Sequence, residues 1–247
     1  MARLHREVLS VLCAEIVNGT MAPGSWLPRE VDLADRFGIS RGVARECIRA
    51  LEERDLVVVR HGRGAMVRPV ADWNVLDPEV VTALIDSPYR ALVLGEVLEC
   101  RRVLEVAAAE LAAERASSAQ LDQLRTAYRQ MEAAVVRQMN GAQDAATERS
   151  FLDADLRFHQ LIMDSTGNRA MAQMLQPMHH ALYFTRYQLA RPQARRERGL
   201  PEHLSILQAI EARDPAAARQ AMIDHLSTVE GYRQEVEAQH LPLEQPR

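Results

Sequence analysis

The sequence predicts a mainly α-helical protein in two parts, a winged helix-turn-helix followed by an all-α helical bundle. Three observations carry this. Two short helical patterns, the second bearing a row of arginines, stand before a β-branched hairpin pattern in the first 70 residues. From residue 79 onward apolar positions recur at helical spacing and no strand pattern appears. Aromatic residues make up only 4% of the 247-residue chain, while Ala, Leu and Arg abound, a composition suited to helices packed through aliphatic side chains.

The elements follow in order. Leu4, Val8, Val11, Leu12 and Ile16 form the apolar stripe of a first helix, closed by Gly19. Pro23-Gly24-Ser25 is a turn. Arg29 to Phe37 reads as a short helix with Gly38 placed to end it. Ser40 is a good N-cap, because its hydroxyl can accept from an orphan N–H of the first turn. It opens a helix in which Val43, Ala44, Cys47, Ile48 and Leu51 make one face, while Arg41, Arg45 and Arg49 stand four apart on another. Leu56 to Arg60 and Ala65 to Arg68 read as strands around the turn His61-Gly62-Arg63-Gly64. Helix, turn, arginine-bearing helix and basic hairpin, in that order, are the pattern of a DNA-binding module.

Domain boundaries are expected as 1–69 for this module, 70–78 for a linker, 79–238 for the bundle and 239–247 for a tail. The linker contains Trp73, Leu76 and Asp77-Pro78, so it should be docked, and it is the natural hinge. Helices are expected over 79–86, 90–116, 117–139, 148–166, 168–190, 196–212 and 215–238. Their breaks are Ser87-Pro88, Ser117-Ser118, Asn140-Gly141, Gly167-Asn168, Arg191-Pro192 and Asp214-Pro215. Asp214 with Pro215 suits an N-cap and first turn.

The formal net charge is −4, yet residues 1–70 are slightly basic, and a local basic face matters more for DNA than the total. Every cationic side chain other than histidine is Arg. Cys13, Cys47 and Cys100 sit in helical stripes without CxxC spacing and are expected as buried free thiols. No apolar run is long enough to span a bilayer. The protein is therefore expected to be soluble and cytoplasmic, with no membrane partner.

The bundle places polar residues where apolar ones belong. Asp155 and His159 share a stripe with Leu152, Ile162 and Met163, four apart on one face. His203 lies in line with Leu200, Leu207 and Ile210, and His225 with Met222 and Leu226. Burying them unpaired would cost several kcal/mol, on the order of 2–7 per polar group. A divalent metal held by one carboxylate and three imidazoles removes the conflict, with Zn first and Ni or Mn also tolerated. Each could instead be a hydrogen-bonded core residue. Arg101 lies in line with Val97, Leu104 and Ala108, and wants a carboxylate or another fork-shaped anion. Asp155 is one candidate partner. His179-His180 and Arg186 could line a cavity but read mostly as local packing or surface.

Pro23-Gly24, Leu27-Pro28, Glu30, Leu33-Ala34, Phe37-Gly38-Ile39-Ser40-Arg41, Arg45-Glu46, Ile48-Arg49 and Gly62-Arg63-Gly64 resemble the winged helix-turn-helix of GntR-type bacterial transcription regulators. The resemblance implies that Ser40, Arg41, Gly42 and Arg45 meet the major groove and phosphates, and that His61, Gly62 and Arg63 meet the minor groove. Members often carry an arginine directly after the residue seen here as Glu30. Val31 stands there instead, and Arg29 is the available substitute. Arg101 with Glu105, residues 111–116, 155–159 and 167–168, Glu202-His203 and His225-Leu226 resemble the FCD ligand-sensing domain of the FadR subfamily. This implies a metal held by Asp155, His159, His203 and His225, with Arg101 holding a small carboxylate effector beside it. Residues 73–78 resemble members that regulate sugar-acid catabolism. The implied function is that of a homodimeric, ligand-responsive repressor on double-stranded operator DNA, not an enzyme. A metal-dependent enzyme with a DNA-binding module, and a DNA-binding protein with a purely structural metal, are the competing readings.

Overall fold

The computed structural model describes residues 2–85, 87–141, 145–174 and 193–239. His179, His180, Arg186, His240, the later part of the helix expected to reach residue 190, and the tail beyond residue 239 lie outside the described residues. Two compact units emerge, Met1–Val93 and Leu94–Arg247. The division falls inside a helix, beyond the 78/79 boundary expected from the sequence.

In the first unit, α1 (Ala2–Val17) is followed by α2 (Glu30–Phe37) and α3 (Arg41–Glu53). α1 buries Val8, Leu9, Leu12, Cys13, Ile16 and Val17. Leu4 and Val11, expected on its inner stripe, are exposed, so the buried face is rotated toward Leu9 and Cys13. Gly38 ends α2 with φ +63°, donating its N–H to the Ala34 carbonyl. That left-handed conformation is open to glycine without a Cβ penalty. Ser40 caps α3, its Oγ accepting from the Val43 N–H at 3.3 Å. Ala44, Cys47, Ile48 and Leu51 face the core.

The wing is an antiparallel pair, β1 (Val57–Arg60) and β2 (Gly64–Val67), in the register Val57↔Val67 to Arg60↔Gly64. Trp26 adds an isolated bridge to Met66. A 3₁₀ turn, Val70–Asp72, opens the expected linker. The segment is fastened at two points. Trp73 is buried, donates Nε1–H to the Arg68 carbonyl at 3.0 Å, and meets Tyr89 edge-on. Asp77 pairs with Arg54 and also accepts from the Glu79 N–H at the start of α4 (Pro78–Ile85). α4 packs on α1 and belongs to the first unit.

α5 (Arg90–Arg115) contains the division. In the second unit, α6 (Ser118–Met139), α7 (Ala145–Ser165), α8 (Gln193–Glu211) and α9 (Pro215–Gln239) pack in neighbouring pairs, α6 on α7 and on α8, and α8 on α9. Residues 169–174 are also helical. A capping box at Ser117 and Gln120 starts α6. Asp214 starts α9, its Oδ1 accepting from the Ala217 N–H at 2.9 Å. Phe158, Leu161, Ile162, Leu124, Met131, Ile206 and Ile210 form the core. No helix among the described residues is long and apolar enough to cross a membrane.

Candidate DNA surface and candidate metal centre

The apolar side of α3 is spent on the core, so its opposite side is free for recognition. Arg41, Gly42, Arg45 and Arg49 are exposed there, and His61, Gly62 and Arg63 are exposed at the wing tip. Arg29 is exposed just before α2, where its backbone N–H donates to Asp32. The Ser40 side chain is engaged as a cap. The three arginines of α3 are not equivalent. Arg45 is gripped by both oxygens of Glu30, Nε to Oε1 at 3.0 Å and Nη2 to Oε2 at 3.1 Å. Arg49 pairs with Glu46 at 2.9 Å. Arg41 has no ion pair among the described residues.

The second site lies inside the second unit and is built from helical i,i+4 spacing. α5 contributes Arg101 and Glu105, α7 contributes Asp155 and His159, α8 contributes His203 and α9 contributes His225. None of the six is more than 6% exposed. Asp155 Oδ1 lies 2.9 Å from His203 Nε2 and 3.7 Å from His159 Nε2. The two Nε2 atoms are 3.3 Å apart. His159, His203 and His225 each offer a nitrogen, and the three atoms lie within 4.8 Å of one another.

The outer nitrogens explain this convergence. His159 Nδ1 lies 2.6 Å from Glu105 Oε2, His203 Nδ1 lies 2.7 Å from the Gly199 carbonyl, and His225 Nδ1 lies 3.0 Å from Glu202 Oε2. The oxygen acceptors at Nδ1 of His203 and His225 place the proton there and leave the Nε2 lone pair facing the shared centre, while Glu105 Oε2 and His159 Nδ1 are in close contact without hydrogen-bond geometry. Glu202 is steadied by Thr228 Oγ1 at 2.7 Å. Burial raises the Glu202 pKa, with the Thr228 hydrogen bond opposing the shift. Burial, reinforced by the neighbouring His203 and Arg101, holds His225 well below the ordinary imidazole range. His225 is therefore neutral, the form that can ligate a metal.

The donor set fits a divalent transition metal. Ligand atoms about 2.1 Å from one ion lie roughly 3.0–3.4 Å apart in octahedral or tetrahedral arrangements, and the 2.9 and 3.3 Å separations are close to that range. The buried His225 Nε2 has no hydrogen-bond partner among the described residues, a cost that a metal bond would remove. Arg101 borders the same centre. Its Nε donates to Glu105 Oε1 at 2.7 Å, and Nη2 lies 3.3 Å from His159 Nε2.

Comparison with known proteins gives the context. Residues 4–67 match the family described as bacterial regulatory proteins, gntR family, and residues 96–228 match the FCD domain. The galactonate operon transcriptional repressor of Escherichia coli K12 is 31% identical over 225 residues, covering 90% of this chain and 93% of that protein. The chain belongs to the GntR family. Its regulators bind operator DNA and respond to ligands. Among solved structures, a Streptococcus agalactiae GntR protein is 26% identical with a TM-score of 0.50, covering 94% of this chain and 99% of that one. Lar, which controls expression of the Listeria monocytogenes agr system, shares the fold at 18% identity and a TM-score of 0.66. It covers 94% of this chain and 97% of that one. The relatives are transcription regulators rather than enzymes.

In this GntR-family chain the structure also corrects two expectations and adds two residues. Arg101 pairs with Glu105, not with Asp155. Cys100 is exposed, because it lies off the buried stripe of α5 that carries Val97, Arg101 and Ala108. The outer carboxylates Glu105 and Glu202 were not singled out from spacing. Glu105 stands one turn after Arg101 on a buried stripe, and that was the available signal.

Proposed function

We propose that this GntR-family regulator is a metal-dependent sensor of a small carboxylate, acting as a homodimeric repressor. The observation that carries the reading is the convergence of Asp155 with His159, His203 and His225, beside the buried guanidinium of Arg101. Zn suits this nitrogen-rich set first, with Ni and Mn tolerated. A divalent ion there would supply a Lewis-acid contact for a carboxylate oxygen.

Arg101 supports a carboxylate. Its Nε is engaged by Glu105, while Nη2 reaches the centre beside His159, so the outer edge of the guanidinium fork can meet a carboxylate bound to the ion. The galactonate repressor named above favours a sugar acid as the first candidate.

At the other site, Arg41 and Arg45 read base edges in the major groove, supported by Ser40, Gly42 and Arg49 at the backbone. His61, Gly62 and Arg63 of the wing enter the minor groove, and Arg29 reaches a phosphate. A two-fold dimer would match a pseudo-palindromic operator. The effector changes operator affinity only by favouring one conformational state over another.

A thermal-shift panel of sugar acids and small dicarboxylates on metal-loaded protein tests the reading, repeated with Arg101→Ala and His203→Ala. The expected result is stabilisation by one acid that is lost in both variants. Zn stabilisation without any acid response would leave a structural metal and overturn the sensor.

A further inference from the structure

Glu105 touches two parts of the proposed sensor at once. Its Oε1 accepts from Arg101 Nε–H at 2.7 Å, and its Oε2 lies 2.6 Å from His159 Nδ1. All three side chains are about 1% exposed, so water does not compete for either oxygen. One carboxylate therefore contacts both a candidate metal-ligating imidazole and the guanidinium beside it. Arg101 and Glu105 are one turn apart on α5, while His159 comes from α7. The carboxylate spans the two helices.

We propose that Glu105 is the positioning residue that ties metal capture to carboxylate capture, by holding His159 Nδ1–H and Arg101 Nε–H with its two oxygens. This rests on the metal and carboxylate reading above. Glu105 itself contacts neither the metal nor the effector. Its charge balances Arg101, which limits the repulsion between the guanidinium and a cation close to His159. Its second oxygen keeps the His159 proton on Nδ1 and the lone pair on Nε2.

Glu105→Gln discriminates, because an amide has one acceptor oxygen and one donor NH₂. With its oxygen on Arg101, the amide faces His159 with an N–H. Nδ1 must then accept, the ring proton moves to Nε2, and the ligand lone pair is lost. With its oxygen on His159, the amide opposes the Arg101 Nε–H and the arginine is released. Neither orientation serves both partners.

The test uses the full-length protein and Co(II) as spectroscopic probe, with ¹⁵N-histidine NMR for the tautomer. In the metal-free wild type, His159 is expected as the Nδ1–H tautomer. Glu105→Gln is expected to weaken Co(II) binding about 10–100-fold, the usual cost of removing an outer-shell partner. At saturating Co(II) it should also weaken the absorption change caused by galactonate, to the level of Arg101→Met. Arg101→Met should keep the wild-type tautomer. Finding His159 as Nε2–H in the metal-free wild type overturns the proposal without relying on the variant's folding. Unchanged Co(II) affinity in Glu105→Gln also overturns it. So does a weaker metal site with an undiminished galactonate response, which would confine Glu105 to His159. Absence of Co(II) binding by the wild type would instead defeat the metal reading beneath it.

Discussion

Arg54 and Asp77 join the end of α3 to the start of α4 through a 3.0 Å ion pair, each side chain only about one-fifth exposed. The same Asp77 oxygen accepts from the Glu79 N–H at 2.9 Å, and Arg54 Nη1 donates to the Ala50 carbonyl at 2.8 Å. One carboxylate thus caps one helix while holding the last turn of another. Asp77→Ala removes the cap and leaves a partly buried guanidinium unpaired. The expected loss is about 2–3 kcal/mol. Both tryptophans of the chain, Trp26 and Trp73, lie in the first unit. Urea unfolding followed by tryptophan fluorescence therefore reads this loss selectively, and an unchanged midpoint would refute the double role.

Arg41 and Arg45 should behave differently on DNA. Arg41 has no acidic competitor among the described residues, so Arg41→Ala should weaken operator binding on the order of 10- to 100-fold, as loss of a bidentate base contact does. Glu30 restrains Arg45 through two bonds. Glu30→Ala should tighten binding to random duplex, which follows charge, and narrow the ratio between operator and random DNA. Fluorescence anisotropy at two salt concentrations measures both. A specificity ratio unchanged by Glu30→Ala would remove that residue from recognition.

Removal of metal should expose the cost of the buried centre. Chelation is expected to lower the melting temperature of the second unit, and the His203→Ala variant should show no difference with or without chelator. The pH dependence of the chelated protein has a definite sign. Burial depresses the folded pKa of His225, so below the ordinary imidazole range, about pH 6.5, the unfolded chain binds more protons than the folded one. Stability should be complete above that pH and decline as pH falls through it. Circular dichroism melts at a series of pH values would show this, and a flat profile from pH 7 to 5 would contradict it.

The cysteines give a simpler check. Burial pushes the Cys13 thiol up to about 12 and also raises Cys47, while Cys100 is exposed. A thiol whose folded pKa is raised stabilises the fold below its unfolded pKa, about 8.5, and that contribution is lost as pH rises above it. Alkylation at pH 8 should label Cys100 alone, with Cys13 and Cys47 reacting only in denaturant. Mass spectrometry of the labelled peptides decides it.

Much of this was legible in the sequence because it depends on local chemistry. Ser40 caps α3 through its hydroxyl and Gly38 ends α2 through its lack of a Cβ, and the His61–Gly64 turn separates two strands. The inward stripes of Asp155, His159, His203 and His225 follow from helical periodicity alone. What periodicity does not give is the contact across helices. That Glu105, one turn after Arg101 on α5, would also meet His159 on α7 depends on how the two helices dock. The packing of α4 on α1 was hidden for the same reason. Its pattern fixes a helix but does not say which unit its apolar face covers. Cys100 was misread because two adjacent stripes on α5 differ by one residue.

In the proposed sensor one carboxylate, held beside a metal, changes affinity for DNA. The most direct measurement selects an operator from random duplexes with the metal-loaded protein. Its binding is then followed by fluorescence anisotropy during titration with galactonate and other sugar acids, for wild type and Arg101→Ala. One acid should weaken operator binding at least fivefold, a typical lower bound for allosteric coupling, only with metal present and not in Arg101→Ala. Tight operator binding that no carboxylate alters, with metal bound throughout, would contradict it.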